Sequence, residues 1–220
     1  MKVAVLRFPG SNCDQDAYFA LREDIGVGAE YVWHEDHSLA GFDAVFVPGG
    51  FSYGDYLRCG AMASRSPIMA EVARFVSEGR PVIGACNGFQ ILCEAGLLPG
   101  ALIFNEGQKF ICDTVELEAV NRTSFWTRGI DRHLHFPIAH GEGRFICDAD
   151  ELKRLQDHDQ VAFRYIQNPN GSVGDIAGVL NKQGNCLGLM PHPERATREI
   201  LGNCDGKLVL RALSEALLSV

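Results

Sequence analysis

Short apolar runs alternate with amphipathic stretches along the first half of the chain. The runs with the length of a β-strand are Lys2–Phe8, Ala29–Trp33, Phe42–Val47 and Arg80–Ala85. The stretches with helical character are Asp14–Glu23, Ser66–Glu78 and Asn87–Ala95. Continuous apolar strands separated by helices are typical of a parallel sheet that is buried on both faces. The pattern therefore predicts an α/β fold with an open, mostly parallel sheet and helices on both faces.

The second half of the chain is richer in strand patterns. Its strand candidates are Lys109–Val120, Leu134–Ala139, Gln160–Tyr165, Ile176–Asn181 and Cys186–Leu189. The first of these alternates between apolar and polar positions, as expected for a strand with one buried face. The stretch Gly206–Leu218 predicts a helix whose leucines, Leu217 among them, would pack on the core. We expect a smaller antiparallel or mixed strand region here and, since no linker or repeat interrupts the chain, a single domain over residues 1–220.

The composition excludes several classes of partner. The chain has 220 residues, of which 46% are hydrophobic and 22% charged, as in ordinary globular proteins. Acidic residues outnumber basic ones by 28 to 20, which gives a net charge of −8. Because nucleic acids and anionic membranes both favour a basic surface, we expect neither as a partner. One local basic pocket would still suffice for a small anionic substrate.

Eight cysteines raise the question of disulfides or a metal site. No two of them have C-x-x-C spacing, which leaves a structural zinc site without support. Arg7 interrupts the N-terminal apolar run, unlike in a signal peptide, and no stretch approaches the roughly 18 apolar residues of a membrane span. We therefore expect a cytoplasmic protein with reduced thiols, no metal and no cofactor of its own.

The segment Gly84–Gln90 (GACNGFQ) carries the sharpest chemical signal. It joins a predicted buried strand to a predicted helix, and Cys86 lies in the turn between small residues. Such a turn presents a nucleophile at the carboxyl end of the sheet, where the N-terminus of the helix favours a thiolate. Taken alone, a buried core cysteine is the commoner explanation, because free thiols are among the most buried side chains.

Two more segments place complementary groups at the same edge of the sheet. Pro48–Gly50 follows a predicted strand, and its backbone N–H groups could face an oxyanion. In Leu189–Glu194 (LMPHPE), His192 and Glu194 stand two positions apart in a predicted extended segment, where both side chains point the same way. The carboxylate could then orient an imidazole that accepts the proton of Cys86. Each segment alone has a structural explanation, as a plain turn or a structural histidine, but together they favour a catalytic triad.

These three segments, in this order, resemble the class I glutamine amidotransferases. That family has a Cys nucleophile in a G-x-C-x-G-x-Q turn, a later H-x-E and an earlier Gly-Gly loop. Within it, Pro48–Ala63, Ile138–Phe145 and Asn168–Ser172 resemble segments of the glutaminase subunits of phosphoribosylformylglycinamidine synthases, which belong to purine biosynthesis. The resemblance covers essentially the whole chain, no catalytic position departs from it, and it implies a flavodoxin-like version of the α/β fold.

The resemblance implies a role for each residue of the site. Cys86 would attack the side-chain amide carbon of glutamine, His192 would accept and then return the proton, and Glu194 would orient His192. The N–H groups of Gly50 and Asn87 would form the oxyanion hole. Further contacts with glutamine are expected from Gln90, Phe51, His140, Gly141 and Glu142.

The resemblance also implies partners. The sequence contains no G-x-x-x-x-G-K-[ST] motif and no G-x-G-x-x-G motif after a strand, so it shows no ATP site of its own. ATP and Mg²⁺ are expected on a synthetase subunit, which would use the ammonia to convert formylglycinamide ribonucleotide to formylglycinamidine ribonucleotide. A small accessory subunit is expected as well.

Three alternatives remain at this point. DJ-1/PfpI-like proteins carry a similar cysteine turn, but they usually lack the later H-x-E and a residue equivalent to Gln90. An amidotransferase for guanylate, anthranilate or imidazole glycerol phosphate synthesis is opposed only by the GDYLRCGA and IAHGEGRF segments. A catalytically silent scaffold is disfavoured by the intact triad.

Overall fold

The computed structural model describes residues 1–215. The strands of that range are β1 (Lys2–Arg7), β2 (Gly28–Trp33), β3 (Ala44–Val47), β4 (Val82–Ala85), β5 (Ala101–Ile103), β6 (Ile111–Ala119), β7 (Leu134–His140), β8 (Arg144–Ile146), β9 (Val161–Tyr165), β10 (Ile176–Leu180) and β11 (Cys186–Leu189). Its α-helices are α1 (Asp14–Phe19), α2 (Ile68–Ser77), α3 (Asn87–Glu94), α4 (Ala149–Asp157), α5 (Gly206–Leu210) and α6 (Ala212–Glu215). Each strand expected from the sequence is present within one or two residues of its expected bounds.

One sheet of nine strands runs through both halves of the chain, in the order β2-β1-β3-β4-β11-β10-β9-β6-β7. The pairs from β2 to β11 are parallel, which confirms the mostly parallel α/β sheet expected for the first half. From β11 onward the pairs are antiparallel, so most second-half strands extend the main sheet. A separate two-stranded antiparallel sheet pairs β5 with β8. Because β11 runs parallel to β4 and next to it, the chain that follows residue 189 begins beside the carboxyl end of β4.

Both faces of the sheet are buried, which explains why its central strands are continuously apolar. Along β1, Val3 and Val5 belong to one hydrophobic cluster, whereas Ala4 and Leu6 belong to the cluster on the other face. All four side chains have no accessible surface. This two-sided burial is the condition under which parallel strands lose their polar alternation.

Three elements were not anticipated from the sequence. α4 buries only Leu155 among its nine residues, so it has almost no apolar stripe to reveal it. Its Asp148 side chain accepts a hydrogen bond from the Glu151 N–H at 2.8 Å, an N-cap that stabilises this polar helix. The strands β5 and β8 have three residues each and are too short to show a period.

Two helices differ from the expected ones, because one changes to π-helical geometry and the other is split in two. The helix expected over Asp14–Glu23 is α1 followed by a π-helical segment, Ala20–Ile25. The C-terminal helix expected over Gly206–Leu218 is split into α5 and α6, and the part that contains Leu217 lies outside the described residues. Within the described range, no helix is long and apolar enough to cross a membrane.

The close approach of α3 to β3 yields a stability prediction. A Cβ atom on Gly88 would fall well inside van der Waals contact with the backbone carbonyl of Val47. Ala gains roughly 1 kcal/mol of helix propensity over Gly, but overpacking a core costs about 1–3 kcal/mol. Because two backbones must separate here, we expect Gly88→Ala to lower the free energy of unfolding, as measured by urea denaturation.

Gly107→Ala is the matched control for this substitution. A Cβ at Gly107 meets nothing within 4 Å, so the same added methyl group should leave stability nearly unchanged. Equal stability of Gly88→Ala and the control would show that α3 can move away from the sheet freely.

Candidate active site

Cys86 occupies the turn between β4 and α3, and its backbone is strained. The residue has φ +51° and ψ −110°, a conformation that L-residues rarely adopt. A Cβ on Gly84 would lie 2.7 Å from the backbone carbon of Gly88, so neither position accommodates a larger residue without movement. The two glycines allow the turn, and the turn places the thiol at the carboxyl end of β4, beside the start of the helix.

His192 and Glu194 reach the same edge from the chain that follows β11. The N–H of His192 donates to the carbonyl of Pro137 in β7 at 2.9 Å, which fixes the backbone. The sequence predicted an extended segment, but Pro193 begins a turn of 3₁₀-helix that contains Glu194. The two side chains still meet, with Nδ1 of His192 2.6 Å from Oε1 of Glu194.

The imidazole of His192 is in a buried and strongly charged environment. The side chains of His192 and Glu194 are 1% and 0% exposed. Burial favours the neutral ring, but the negative charges of Glu194 and Cys86 outweigh it and raise the pKa of His192 well above its usual range. The Nε2 atom is buried and has no hydrogen-bond partner among residues 1–215. With Nδ1 held by the carboxylate, Nε2 is the nitrogen left for exchanging a proton with a nucleophile.

Gly49 lies where the side chains of Cys86 and His192 converge. A Cβ built on this residue would lie 2.7 Å from Cε1 of His192 and 3.3 Å from Cβ of Cys86. The sequence analysis selected the loop that contains Gly49 for its backbone N–H groups. The structure shows that the absence of a side chain at Gly49 matters as much. Any other residue at this position would push the imidazole away from the thiol.

Cys13 is a second thiol in this site, which the sequence gave no reason to select. Its Sγ would lie 3.2 Å from the same Cβ on Gly49. Burial raises the pKa of the Cys13 thiol, and the interaction with His192 offsets this only in part. Cys13 lies at the start of α1, after the loop at the end of β1, and the separation of 73 positions from Cys86 hides their proximity in the sequence.

The expected oxyanion-hole donors, Gly50 and Asn87, lie on the two segments that flank Cys86. Asn87 is the first residue of α3, where a backbone N–H has no partner within the helix. Gly50 has φ +138°, and its N–H makes no backbone hydrogen bond within the described chain. The side chain of Asn87 accepts a hydrogen bond from the Ser52 N–H at 3.2 Å, which links the two segments.

A cavity of about 190 Å³ opens onto the thiol. Its lining residues are Asn12, Cys13, Gly50, Phe51, Cys86, Phe110, Ala139, His192 and Arg195. The rings of Phe51 and Phe110 stack with centroids 6.4 Å apart, and the two residues are 45% and 54% exposed. Arg195 also lines the cavity, and its guanidinium group donates a hydrogen bond to Asp16 at 2.9 Å, so its charge is already paired.

Four of the expected glutamine contacts do not line this cavity. These residues are Gln90, His140, Gly141 and Glu142. The amide of Gln90 donates to the Glu142 carbonyl at 2.6 Å and accepts from Asn87 at 2.8 Å. The Glu142 carboxylate accepts from the Cys59 N–H at 3.4 Å. In this arrangement these groups connect α3 to the segment after β7 and support the site from behind.

Asn105 organises that supporting segment, and sequence reasoning missed it. Its carboxamide donates to the His140 carbonyl at 2.9 Å and accepts from His140 Nδ1 and from the Gly143 N–H, each at 3.0 Å. Burial, together with the charge of His192, lowers the pKa of His140 to about 4. His140 is therefore neutral at pH 7, which avoids a second positive charge near His192.

A larger cavity, of about 630 Å³, lies elsewhere, beside the loop that follows Phe51. Its wall includes Arg58 and Glu94, which are paired at 2.6 Å, and it contains no cysteine. Burial and nearby negative charges raise the pKa of the Cys59 thiol, and burial raises that of Cys93. Neither thiol is in a setting that favours a nucleophile, so the smaller cavity beside Cys86 remains the candidate active site.

Comparisons with known proteins agree with this geometry. The family model of the CobB/CobQ-like glutamine amidotransferase domain matches residues 1–207. A chain in the structure of PurLQS from Thermotoga maritima is 44% identical, with 98% of both chains covered and a TM-score of 0.91. A glutamine amidotransferase from Thermotoga maritima is 16% identical, with 100% of this chain and 99% of that chain covered and a TM-score of 0.66, and it shows the fold alone.

The contact between Glu194 and His192 makes a measurable prediction. Glu194→Gln removes the negative charge that outweighs burial, so the pKa of His192 should fall below its value in the unmodified protein. The titration is followed by NMR on the ring Cε1–H of His192.

Glu116→Gln is the control, since Glu116 contacts the exposed His133 at 2.8 Å on the surface. This variant should leave the pKa of His192 unchanged. A His192 pKa that is the same in all three proteins would mean that the carboxylate does not govern the charge of the ring.

Proposed function

The chain belongs to the CobB/CobQ-like glutamine amidotransferase domain family, and on that premise we propose that it is the glutaminase subunit of a phosphoribosylformylglycinamidine synthase. It hydrolyses glutamine to glutamate and ammonia and supplies the ammonia to a synthetase subunit. The observation that carries this proposal is the convergence of Cys86 with the buried pair of His192 and Glu194 at the end of β4. The 44% identity over 98% of the PurLQS chain supports the choice of branch.

The first half-reaction uses the strained turn and the histidine together. The Cys86 sulfur attacks the side-chain amide carbon of glutamine, and the thiol proton passes to Nε2 of His192. A tetrahedral intermediate forms, and its oxyanion accepts hydrogen bonds from the N–H groups of Gly50 and Asn87. One such donor is typically worth about 10²–10³ in kcat. The intermediate collapses as His192 returns the proton to the nitrogen, the C–N bond breaks, and ammonia leaves a γ-glutamyl thioester on Cys86.

The second half-reaction reverses these roles with water. His192 removes a proton from water, and the hydroxide adds to the thioester carbon. The C–S bond then breaks as His192 returns the proton to the sulfur, which gives glutamate and the free Cys86 thiol. Glu194 stabilises the imidazolium in both steps, because its carboxylate lies 2.6 Å from Nδ1. The charges of Glu194 and of ionised Cys86 raise the pKa of His192, so they favour the protonated ring once the thiol proton has passed to it.

A synthetase subunit completes the enzyme in this proposal. ATP and Mg²⁺ bind to that subunit, where they activate the amide oxygen of formylglycinamide ribonucleotide for attack by ammonia. A small accessory subunit joins the complex. The partner would cover the half-exposed, stacked rings of Phe51 and Phe110, which line the cavity, and would shield the site from bulk solvent. A glutaminase that needs this cover would waste little glutamine when alone.

The complex gives the sharpest test of this function. We expect Cys86→Ala to abolish formylglycinamidine ribonucleotide synthesis with glutamine but to retain it with added ammonium chloride, because only ammonia production requires the thiol. Cys112→Ala, which removes an exposed thiol on β6, is the control and should retain both activities. Loss of the ammonia-dependent reaction in Cys86→Ala would point to a structural role instead.

Labelling with diazo-oxo-norleucine tests the site in the isolated chain. The electrophile mimics glutamine, so peptide mass spectrometry should find one adduct, on Cys86, that glutamine prevents. Cys59 and Cys93 should remain unmodified, because their raised pKa values keep them as thiols at pH 7. Adducts on several cysteines, formed equally with and without glutamine in the presence of the synthetase, would contradict the assignment of the site.

A further inference from the structure

Two cysteines and a histidine meet in the candidate active site, although glutamine hydrolysis uses only one of the cysteines. The Sγ of Cys13, a ring nitrogen of His192 and a carboxylate oxygen of Glu194 all lie within 4.8 Å of one another, and all three residues are buried. Cys86 adjoins this cluster, since its Cβ and the Cys13 sulfur lie within 3.3 Å of the same point beside Gly49. The mechanism leaves Cys13 without a role.

We propose that Cys13, Cys86 and Nε2 of His192 form a binding site for a thiophilic divalent cation, with Zn²⁺ as the best-suited ion, and that its occupation blocks the nucleophile. Thiolate and imidazole ligands are the set that Zn²⁺ prefers, whereas Mg²⁺ and Ca²⁺ require oxygen. Water can take the fourth position, from the cavity that both cysteines line. The inhibitory consequence rests on the proposed glutaminase function, but the binding site itself does not.

The histidine is already arranged as a metal ligand. Zinc-bound histidines usually donate their other ring N–H to a carboxylate, which fixes the tautomer. Glu194 holds Nδ1 of His192 in this way at 2.6 Å. The opposite nitrogen, Nε2, is buried and makes no hydrogen bond within residues 1–215. A cation at Nε2 would satisfy this polar atom.

The spacing of the groups is close to that of a metal site. Tetrahedral zinc with the usual bond lengths places its ligand atoms about 3.3–3.8 Å apart. The Cys13 sulfur and a ring nitrogen of His192 lie within 4.8 Å, so this pair needs an approach of about 1 Å, and Cys86 lines the same cavity as both residues. Gly49 has no side chain to obstruct this approach.

Electrostatics also permit the cation. Two thiolates balance the charge of Zn²⁺, and Glu194 adds one negative charge behind the ring. Arg195 is the adverse group in the cavity wall, but it is paired with Asp16 at 2.9 Å.

The test uses Co²⁺ as a coloured substitute, because Zn²⁺ has a filled d shell and no such absorption. Titration of the reduced chain with Co²⁺ should produce a thiolate-to-cobalt charge-transfer band that Zn²⁺ then removes by displacement. Cys13→Ala and Cys86→Ala should each reduce the band to about half, since each removes one of two thiolates. Cys59→Ala and Cys112→Ala are the controls and should leave it unchanged.

Affinity gives a second measure of the same site. Loss of a carboxylate behind a metal-bound histidine typically weakens binding by about 10–100-fold, so Glu194→Gln should fall in this range. Cys13→Ala, which removes a direct ligand, should weaken Zn²⁺ binding at least as much. If Cys13→Ala does not fold, as judged by circular dichroism, Cys13→Ser replaces it with nearly the same shape.

Glutaminase assays separate this proposal from the proposed function. In the complex, Zn²⁺ should inhibit glutamine hydrolysis and a chelator should reverse the inhibition. Measured relative to each protein's own uninhibited rate, the sensitivity to Zn²⁺ should be at least 10-fold lower in Cys13→Ala. A two-thiolate band without any glutaminase activity would leave the metal site standing and overturn the function. The absence of a band, or a band and affinity unchanged in Cys13→Ala and Cys13→Ser, would overturn the metal site whatever the activity.

Discussion

The close contact between α3 and the parallel sheet is the constraint on which the site depends. Gly88 allows the helix to approach the backbone of Val47 at a distance that no side chain permits, and Gly84 makes room on the strand side. The chain between them must turn sharply, and Cys86 takes the strained conformation at φ +51°. Strain of this kind costs on the order of 1–3 kcal/mol and persists only where surrounding structure enforces it. Here the buried sheet supplies that enforcement, and the result is a thiol held at a fixed point at the sheet edge.

The antiparallel extension of the sheet brings the remaining groups to that point. Because β11 pairs with β4 in parallel, the turn after β11 emerges beside Cys86. The contact of His192 with Pro137 then ties this turn to β7, the last strand of the order. The second half of the chain is therefore part of the candidate active site, since it supplies His192 and Glu194 and part of the cavity lining.

The buried pair of His192 and Glu194 is costly, which explains its surroundings. Desolvating an ion costs several kcal/mol unless a partner compensates. The short contact between the two side chains offsets this cost, and the neutral state of His140 avoids adding to it. Oε2 of Glu194 and Nε2 of His192 nevertheless have no hydrogen-bond partner among the described residues. These unpaired buried atoms lower stability, but they leave Nε2 of His192 available for proton exchange with a thiol.

Local patterns in the sequence predict the strands of the main sheet, most of the helices and the segments of the candidate site. Apolar runs identify buried strands, and a cysteine between glycines at a strand-helix junction identifies the turn of Cys86. The sequence analysis did not predict the short strands β5 and β8, which are too short to show a period, or the helix α4, which buries too little apolar surface. It also did not select Cys13 and Asn105, for a different reason. Each is an ordinary residue in its own segment and acquires its place only when the sheet brings it beside residues distant in the chain, Cys86 for Cys13 and His140 for Asn105. Local sequence motifs therefore identify candidate reactive side chains. Which of them lie close together depends on the pairing of strands that are distant in the sequence.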